Sequence, residues 1–305
     1  MRFSPRDFRR NFFDDYHIHR KLLGRRRNEN AAVYPNVACY AFDSITSEII
    51  LFGGFEKTLL DVVFARLEFL SGDFKQTAAI DIGANIGNHL LYFAQRFGHV
   101  YAIEADPKTF ELLSFNITHT GSSNITPIQR ALGEASGKLM FAEHRNEAAR
   151  SGIVDPSSKM CDWLREQPGR LFEVEVSAGD AVFADHNMLP VSLIKIDVEG
   201  FEHSVIKGLK STIESFHPMI LIEQLANEIS GGTSKTIELL RQYGYDRFYS
   251  PESASRIKGR RTRLVSKLLR GDTIDLELVA SFAPKHYPMI LCCADSGPFS
   301  LKTIV

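Results

Sequence analysis

No apolar run in this 305-residue sequence approaches the roughly 20 residues that a membrane-spanning helix needs, so no transmembrane segment is expected. Cysteine is scarce. Cys39, Cys161, Cys292 and Cys293 stand at spacings that match neither a zinc site nor a disulfide framework. That points to a reducing compartment. The first residues hold no continuous apolar stretch of the secretory kind, so the expected location is cytoplasmic. Net charge is also lacking. With 36 Lys and Arg against 37 Asp and Glu, the sum is -1, and no global pull toward nucleic acid or an anionic membrane is expected. There is one tryptophan, Trp163, no internal repeat and no low-complexity tract, which sets aside solenoid and fibrous architectures.

What remains is ordinary globular composition, 44% hydrophobic and 24% charged, with enough chain for one large core or two modest domains. The first 30 residues are basic and aromatic. They read as a solvated helical extension; the alternative is a contact with an anionic partner or with a second subunit of a homo-oligomer. Residues 37–54 alternate loosely and suggest a short strand pair, and "FEKTLLDVVFARLEFL" has helical spacing. From residue 78, short β-type runs and helical segments alternate, the pattern of a parallel sheet with helices on both faces. The chain therefore divides into an N-terminal extension, 1–72, with a helix and short strands packed on the core, and an α/β domain, 73–305. Insertions are expected near 143–172 and 251–272. "FEVEVSAGDAVF" reads as an edge strand, "DRFYS" and "YPMILCCA" as the last two strands. The run 256–270 holds no acid and reads as a solvated loop or helix, or as a patch for an anionic partner.

"DIGANIG" at 81–87 is the sharpest local signal. Asp81 ends a strand, and Gly83, Asn85 and Gly87 turn the chain into a helix. Glycines there let the backbone come close to a ligand at the carboxyl end of a strand, where open α/β sheets bind nucleosides. A dinucleotide fingerprint would read G-x-G-x-x-G; this loop reads G-x-N-x-G. Asp81 beside it would disfavour a pyrophosphate and suit a cationic ligand such as S-adenosyl-L-methionine. Glu104, at the end of the next strand in "YAIEAD", can accept both hydroxyls of a ribose.

"AIDIGANIGNHLLYFA", "VYAIEADP", "LIKIDVEGFEHSVIKGL" and "PMILIE", in that order, resemble the FkbM family of S-adenosylmethionine-dependent methyltransferases over roughly residues 52–225. "GGFEKTLLD" resembles the segment that leads into that family's first strand. The resemblance implies an α/β fold of class I methyltransferase type, a Rossmann-like three-layer sandwich whose seven-stranded, mostly parallel sheet has one antiparallel strand. It implies O-methylation of a hydroxyl on a sugar, glycan or related metabolite. It further implies that Asp81, Gly83, Ala84, Asn85, Gly87 and Asn88 cradle the methionine part of the cofactor, that Glu104 and Ala105 face the ribose, and that Ala131 and Leu132 lie near the adenine. The family's Thr-Leu-Asp stretch is replaced by "SAGDAVF", with Asp180 as the counterpart.

"LIKIDVEG" at 193–200 packs three charges into an apolar run. An unpaired buried charge is costly, so a Lys195–Asp197 or Lys195–Glu223 pair is expected. Methyl transfer to an alcohol needs a group to take the hydroxyl proton. The candidates are Asp197, which would also touch the cofactor, Glu199, His203 and Glu223, with Lys195 either anchoring the acids or touching the chemistry. Asp197 is favoured as base, or as ligand with Glu199 of a divalent cation such as magnesium. His203 alternatively sits at the surface, and His89 faces the same region or simply packs. Two other readings stand beside this one: a degenerate methyltransferase fold that binds RNA or an anionic glycan, and an NAD-dependent oxidoreductase.

Overall fold

The structure is a computed structural model that describes residues 37–41, 43–71, 74–144, 151–154, 170–184, 186, 188–253 and 274–294. The basic N-terminus before residue 37, Trp163 and the 256–270 run lie outside the described residues.

The first described helices are α1 (Ser44–Phe52) and α2 (Lys57–Ser71). α1 occupies the stretch where a strand pair was expected. Local chemistry decides it: the Asp43 carboxylate accepts from Ile45 N at the N-cap, and Gly53 closes the helix at φ 82°. The alternation then runs β1 (Ala78–Ile82), α3 (Asn88–Ala94), β2 (His99–Glu104), α4 (Pro107–Thr120) and β3 (Ile125–Gln129). α4 starts where Asp106 caps Lys108 N and Pro107 presets the first turn. A second sheet follows: β4 (Ala131–Gly133), β5 (Gly137–Glu143), β6 (Gly152–Ile153) and β7 (Arg170–Ala178). The chain returns through α5 (Gly179–Phe183), β8 (Val191–Ile196), α6 (Glu202–Gly208), α7 (Lys210–Phe216), β9 (Met219–Gln224), α8 (Lys235–Gln242), β10 (Tyr245–Ser253), β11 (Ile274–Leu278) and β12 (Tyr287–Ala294).

The main sheet has the order β11-β10-β12-β9-β8-β1-β2-β3. β1 pairs in parallel with β2 and β8, β2 with β3, and β8 with β9; β12 runs antiparallel to both β9 and β10. This is the expected Rossmann-like sheet with its one reversed inner strand. It carries one strand more than expected: β11 folds back antiparallel along β10 and makes an eighth, edge strand. The expected third strand is cut at Arg130, and Ala131–Gly133 leaves for the second sheet, where it pairs with β7. β7 is thus not an edge of the main sheet but the middle of a four-stranded one, ordered β4-β7-β5-β6.

β1 and β8 are buried along their whole length, as expected for strands covered on both faces. Side chains alternate between two cores. Ile80, Ile82, Ile194 and Ile196 point to the core that α6, α7 and α8 complete with Val205, Ile206, Ile213 and Leu240. Ala79, Ala102 and Leu193 point to the other, filled by Phe64 and Leu67 of α2, Phe93 of α3 and Leu113 of α4. Helices therefore sheathe both faces, and the carboxyl ends of β1, β2, β8 and β9 stay open. The small sheet packs its own cluster, with Ala131, Phe141, Ile153 and Val176, beside that opening.

Candidate active site

A cavity of roughly 250 Å³ lies at the carboxyl ends of the parallel strands. It is lined by Gly83, Ala84, Asn85, Asn88, Glu104, Ala105, Ala131, Leu132, Lys195, Asp197, Glu199 and Glu223, all residues singled out in the sequence. One wall is apolar: Ile103, Leu132, Phe141, Ile153 and Phe201. The opposite end gathers carboxylates.

At the first end, Gly83 follows β1 at φ 75°, and a Cβ there would sit 1.8 Å from the Asp197 carbonyl oxygen. The loop therefore packs directly on the end of β8, which only glycine permits. Asn85 takes a positive φ of 50°. Its N–H donates to Glu104 Oε2 at 2.9 Å, while Asp106 N donates to Glu104 Oε1 at 2.8 Å. Glu104 is 8% exposed. Burial pushes its carboxyl up to about 7 against the pull of those two amides. The Ala105 amide adds a weaker pull of the same sign, and the carboxylate keeps a lone pair beyond these three.

Asp81 and Gly87 do not line the cavity. Gly87 is the N-cap of α3 at φ 93°, and a Cβ there would meet Leu113 Cδ1 at 2.8 Å, so this glycine serves the turn and the packing. Asp81 is fully buried below the loop. Its charge, expected to face a cationic ligand, faces Lys195 instead, with Nζ 3.2 Å from Asp81 Oδ1. β1 and β8 set Asp81 and Lys195 as direct neighbours across the sheet. Lys195 Nζ also lies 3.3 Å from Asp197 Oδ2 and donates to Gly83 O at 3.1 Å. Burial alone would lower the ammonium, but the two aspartates hold it above its ordinary range. Burial would likewise raise the Asp197 carboxyl, yet Lys195 keeps it below the usual carboxylate range. The expected Lys195–Asp197 pair is present; the second partner is Asp81, not Glu223.

Glu223, at the end of β9, meets His286 instead, with Nε2 2.6 Å from Oε1. Burial, then the Asp197 charge, pushes Glu223 up to about 7, and the same contact raises His286. Glu223 Oε2 is buried with no hydrogen-bond partner. Glu199 stands at φ 56° in the turn after β8. The turn is held by Glu202, whose Oε1 accepts from Val198 N and Gly200 N at 3.1 Å each. His203 is not brought to the cavity. It sits half-buried among Lys207 and Lys235, which with burial lower its pKa. His89 does line the cavity, but burial drives it down to about 3 and keeps it neutral, with Nε2 3.3 Å from Phe55 O. Asp180 lies away from the cleft and caps α7, accepting from Ser211 N at 2.8 Å and from Thr212 N at 2.9 Å.

Glu56, within "GGFEKTLLD", and His286 also line the cleft. Glu56 lines the acid end at φ 51°, 3.6 Å from His89; burial, then the Asp197 charge, raises it well above the carboxylate range. His286 precedes β12 and reaches the cleft only because that strand is inserted antiparallel beside β9. One oxygen each of Asp197, Glu199 and Glu223 lies within 4.8 Å of the others, a spacing that a divalent cation can use. Lys195 and His286 already stand on two of the three acids and would compete with it.

S-adenosylmethionine fits this donor set. A buried carboxylate with a spare lone pair suits a diol, the apolar wall suits an aromatic base, and the acid-rich end suits a ligand carrying a sulfonium and an ammonium. The family model described as "Methyltransferase FkbM domain" matches residues 81–247. The hexuronic acid methyltransferase AglP of Haloferax volcanii is 25% identical over 141 residues, 46% of this chain and 53% of that protein. Methyltransferase 1 of Beauveria bassiana is 25% identical over 176 residues, 52% of this chain and 68% of that protein. The chain thus spans about half the length of AglP. Among solved structures, methyltransferase FkbM from Methylobacillus flagellatus KT is 19% identical, covering 78% of this chain and 52% of that one at a TM-score of 0.35. That structural likeness is too slight to carry weight beside the strand order. The family match, spanning more than half of the residues and all four ordered motifs, settles the kinship: this chain belongs to the FkbM methyltransferase domain family.

Proposed function

We propose that the protein transfers a methyl group from S-adenosylmethionine to a hydroxyl oxygen of a sugar or related polyhydroxy metabolite. The observation that carries this reading is the two-ended cleft: a buried carboxylate, Glu104, at the end of β2, and a set of acids at the ends of β8 and β9. The bound cofactor supplies a methyl carbon already activated by its sulfonium. The chain's own task is to hold the acceptor in line and take its proton. Glu223 is the better match for that proton, because a base poised near neutrality is both ionised in part and basic enough. Asp197, held ionised by Lys195, is a weaker base and acts as a fixed negative charge facing the cofactor. This moves the base from β8, where the sequence favours it, to β9. His286, on Glu223 Oε1, orients that carboxylate.

A sugar acceptor is supported by the name of one relative, a hexuronic acid methyltransferase, and by the carboxylates gathered at the ends of β8 and β9. Calorimetry with S-adenosylhomocysteine and a labelled-methyl screen over glycosides test the reading. Glu223→Gln is expected to abolish transfer while leaving cofactor affinity within a few-fold, whereas Asp197→Ala is expected to weaken cofactor binding. A protein stabilised against heat by NAD and not by S-adenosylhomocysteine would replace this reading with the oxidoreductase one. Salt-sensitive RNA binding that survives Glu104→Ala would favour a binding module.

A further inference from the structure

We propose that the described residues between 37 and 56 form a strap fastened over the cofactor cleft by two asparagine side chains, Asn116 and Asn88, and that strap closure and cofactor binding are one coupled equilibrium. The proposal rests on the reading of this cleft as an S-adenosylmethionine site.

Asn116 lies in α4 and is fully buried, an expensive place for an amide unless all its groups are paired. They are. Its Oδ1 accepts from Ala38 N at 2.8 Å, and its Nδ2 donates to Ala38 O at 2.9 Å and to Ile86 O at 2.8 Å. One side chain thus joins the strap to the glycine loop. Asn88, at the start of α3, repeats the arrangement at the strap's other end: Oδ1 accepts from Phe55 N at 3.1 Å and Nδ2 donates to Phe55 O at 2.9 Å. Each amide pairs with both polar groups of a single backbone residue, as a neighbouring strand would. Between these points Tyr40 Oη meets Thr109 Oγ1 at 3.4 Å, and Thr109 donates to Asp106 Oδ2 at 2.8 Å.

The strap then supplies lining. Ile45, Phe55 and Glu56 face the cavity alongside Ile86, Asn88 and Thr109, the residues that hold the strap or stand next to those that do. Glu56 is kept at a positive φ of 51° while its N–H donates to Glu48 Oε2 at 3.1 Å. A non-glycine residue in that region costs conformational energy and persists where its surroundings over-determine it, as they do at ligand clamps. Among the described side chains of α1, Ile45 is buried and Thr46, Glu48, Ile49 and Ile50 are half-buried. A segment fastened at its two ends by single side-chain amides can open locally, and a ligand that touches both it and the loop shifts it to the closed state. Asn116 is then a positioning residue for the cofactor, acting through Ile86 and Ala38.

Hydrogen exchange and stopped-flow binding, with S-adenosylhomocysteine as probe, test this on the full chain. Ala38→Pro deletes the N–H given to Asn116 without touching the glycine loop or α4, and Asn116→Asp keeps the acceptor but loses both donations. In the unaltered protein the probe is expected to slow exchange across 37–56 by at least tenfold. Both variants are expected to release the probe about tenfold faster, with association changed less than threefold; the melting temperature of the free protein is expected to be nearly unchanged in Ala38→Pro and lowered in Asn116→Asp, which leaves the buried carbonyls of Ala38 and Ile86 without their donor. Equal protection of 37–56 with and without probe, or an unchanged release rate in Ala38→Pro, would overturn the strap. Failure of the unaltered protein to bind the probe at all would instead overturn the cofactor reading beneath it.

Discussion

Lys195 and Asp81 face each other across β8 and β1, 3.2 Å apart, with 5% and 0% of their surfaces exposed. The pair sits under the glycine loop, and the same ammonium reaches Asp197 and Gly83 O. It thereby ties the glycine loop after β1 to the acid at the end of β8. Removing one partner of a buried ion pair strands the other, at a cost of about 3–5 kcal/mol, whereas replacing both with uncharged groups is far milder. Lys195→Met is therefore expected to be strongly destabilised in urea unfolding, and Lys195→Met with Asp81→Asn to recover most of the loss. Equal stability of the two variants would mean that Asp81 is not the main partner of this lysine.

Gly83 makes the next case. At φ 75° with the Asp197 carbonyl 1.8 Å from where a Cβ would lie, Gly83→Ala must displace the end of β8. Gly121 has a similar φ, 67°, with nothing within 4 Å, so Gly121→Ala isolates the backbone preference alone, about 1–2 kcal/mol. Gly83→Ala is expected to lose more stability than Gly121→Ala and also to weaken S-adenosylhomocysteine binding by about tenfold or more, the factor that 1.4 kcal/mol represents. Calorimetry and thermal unfolding of the two variants side by side give both quantities.

The alternation from β1 to β3 is legible in the sequence because parallel strands buried on both faces must be apolar throughout, and β8 shows its acids only where the strand ends. Asn85, Glu104 and Asp197 are found for the same reason: strand ends are marked by glycine and acids. Glu56 falls within "GGFEKTLLD" but nothing in that segment marks it as reaching the cleft, and no local pattern marks His286; the first comes from a turn outside the sheet, the second stands just before a strand inserted out of chain order. Residues 44–52 mislead because their apolar residues fit either a strand or a helix, and Asp43 and Gly53 decide between them.

Asp180 shows how a motif counterpart can change meaning. It holds the first amides of α7, Ser211 N and Thr212 N, and also accepts from Thr212 Oγ1 at 2.7 Å. Losing such a cap costs about 1–2 kcal/mol. Asp180→Ala is expected to lower the unfolding free energy by that amount and leave S-adenosylhomocysteine affinity unchanged, while Asp180→Asn keeps most of the stability. A cofactor-binding defect in Asp180→Ala at unchanged stability would return this residue to the site.

Glu104 sets a pH dependence whose sign can be stated. Burial raises its carboxyl from 4.5 to about 7, so the folded, ligand-free protein keeps a proton that the unfolded chain has lost between those values. This group's contribution to stability is therefore complete below about pH 4.5 and declines as pH rises to about 7. Glu202, raised to about 8 chiefly by burial, has the same sign, so a single stability curve does not separate the two. Binding does. A ribose diol donates to the ionised carboxylate, so affinity for S-adenosylhomocysteine is expected to rise between pH 6 and 8, by about tenfold if the ionised fraction alone governs it. In Glu104→Gln the amide still accepts at one atom but no longer titrates, and the affinity is expected to be lower and flat across that range. A slope that survives this substitution would assign the titration to another acid of the cleft, with Glu223, also near 7, as the group to replace next.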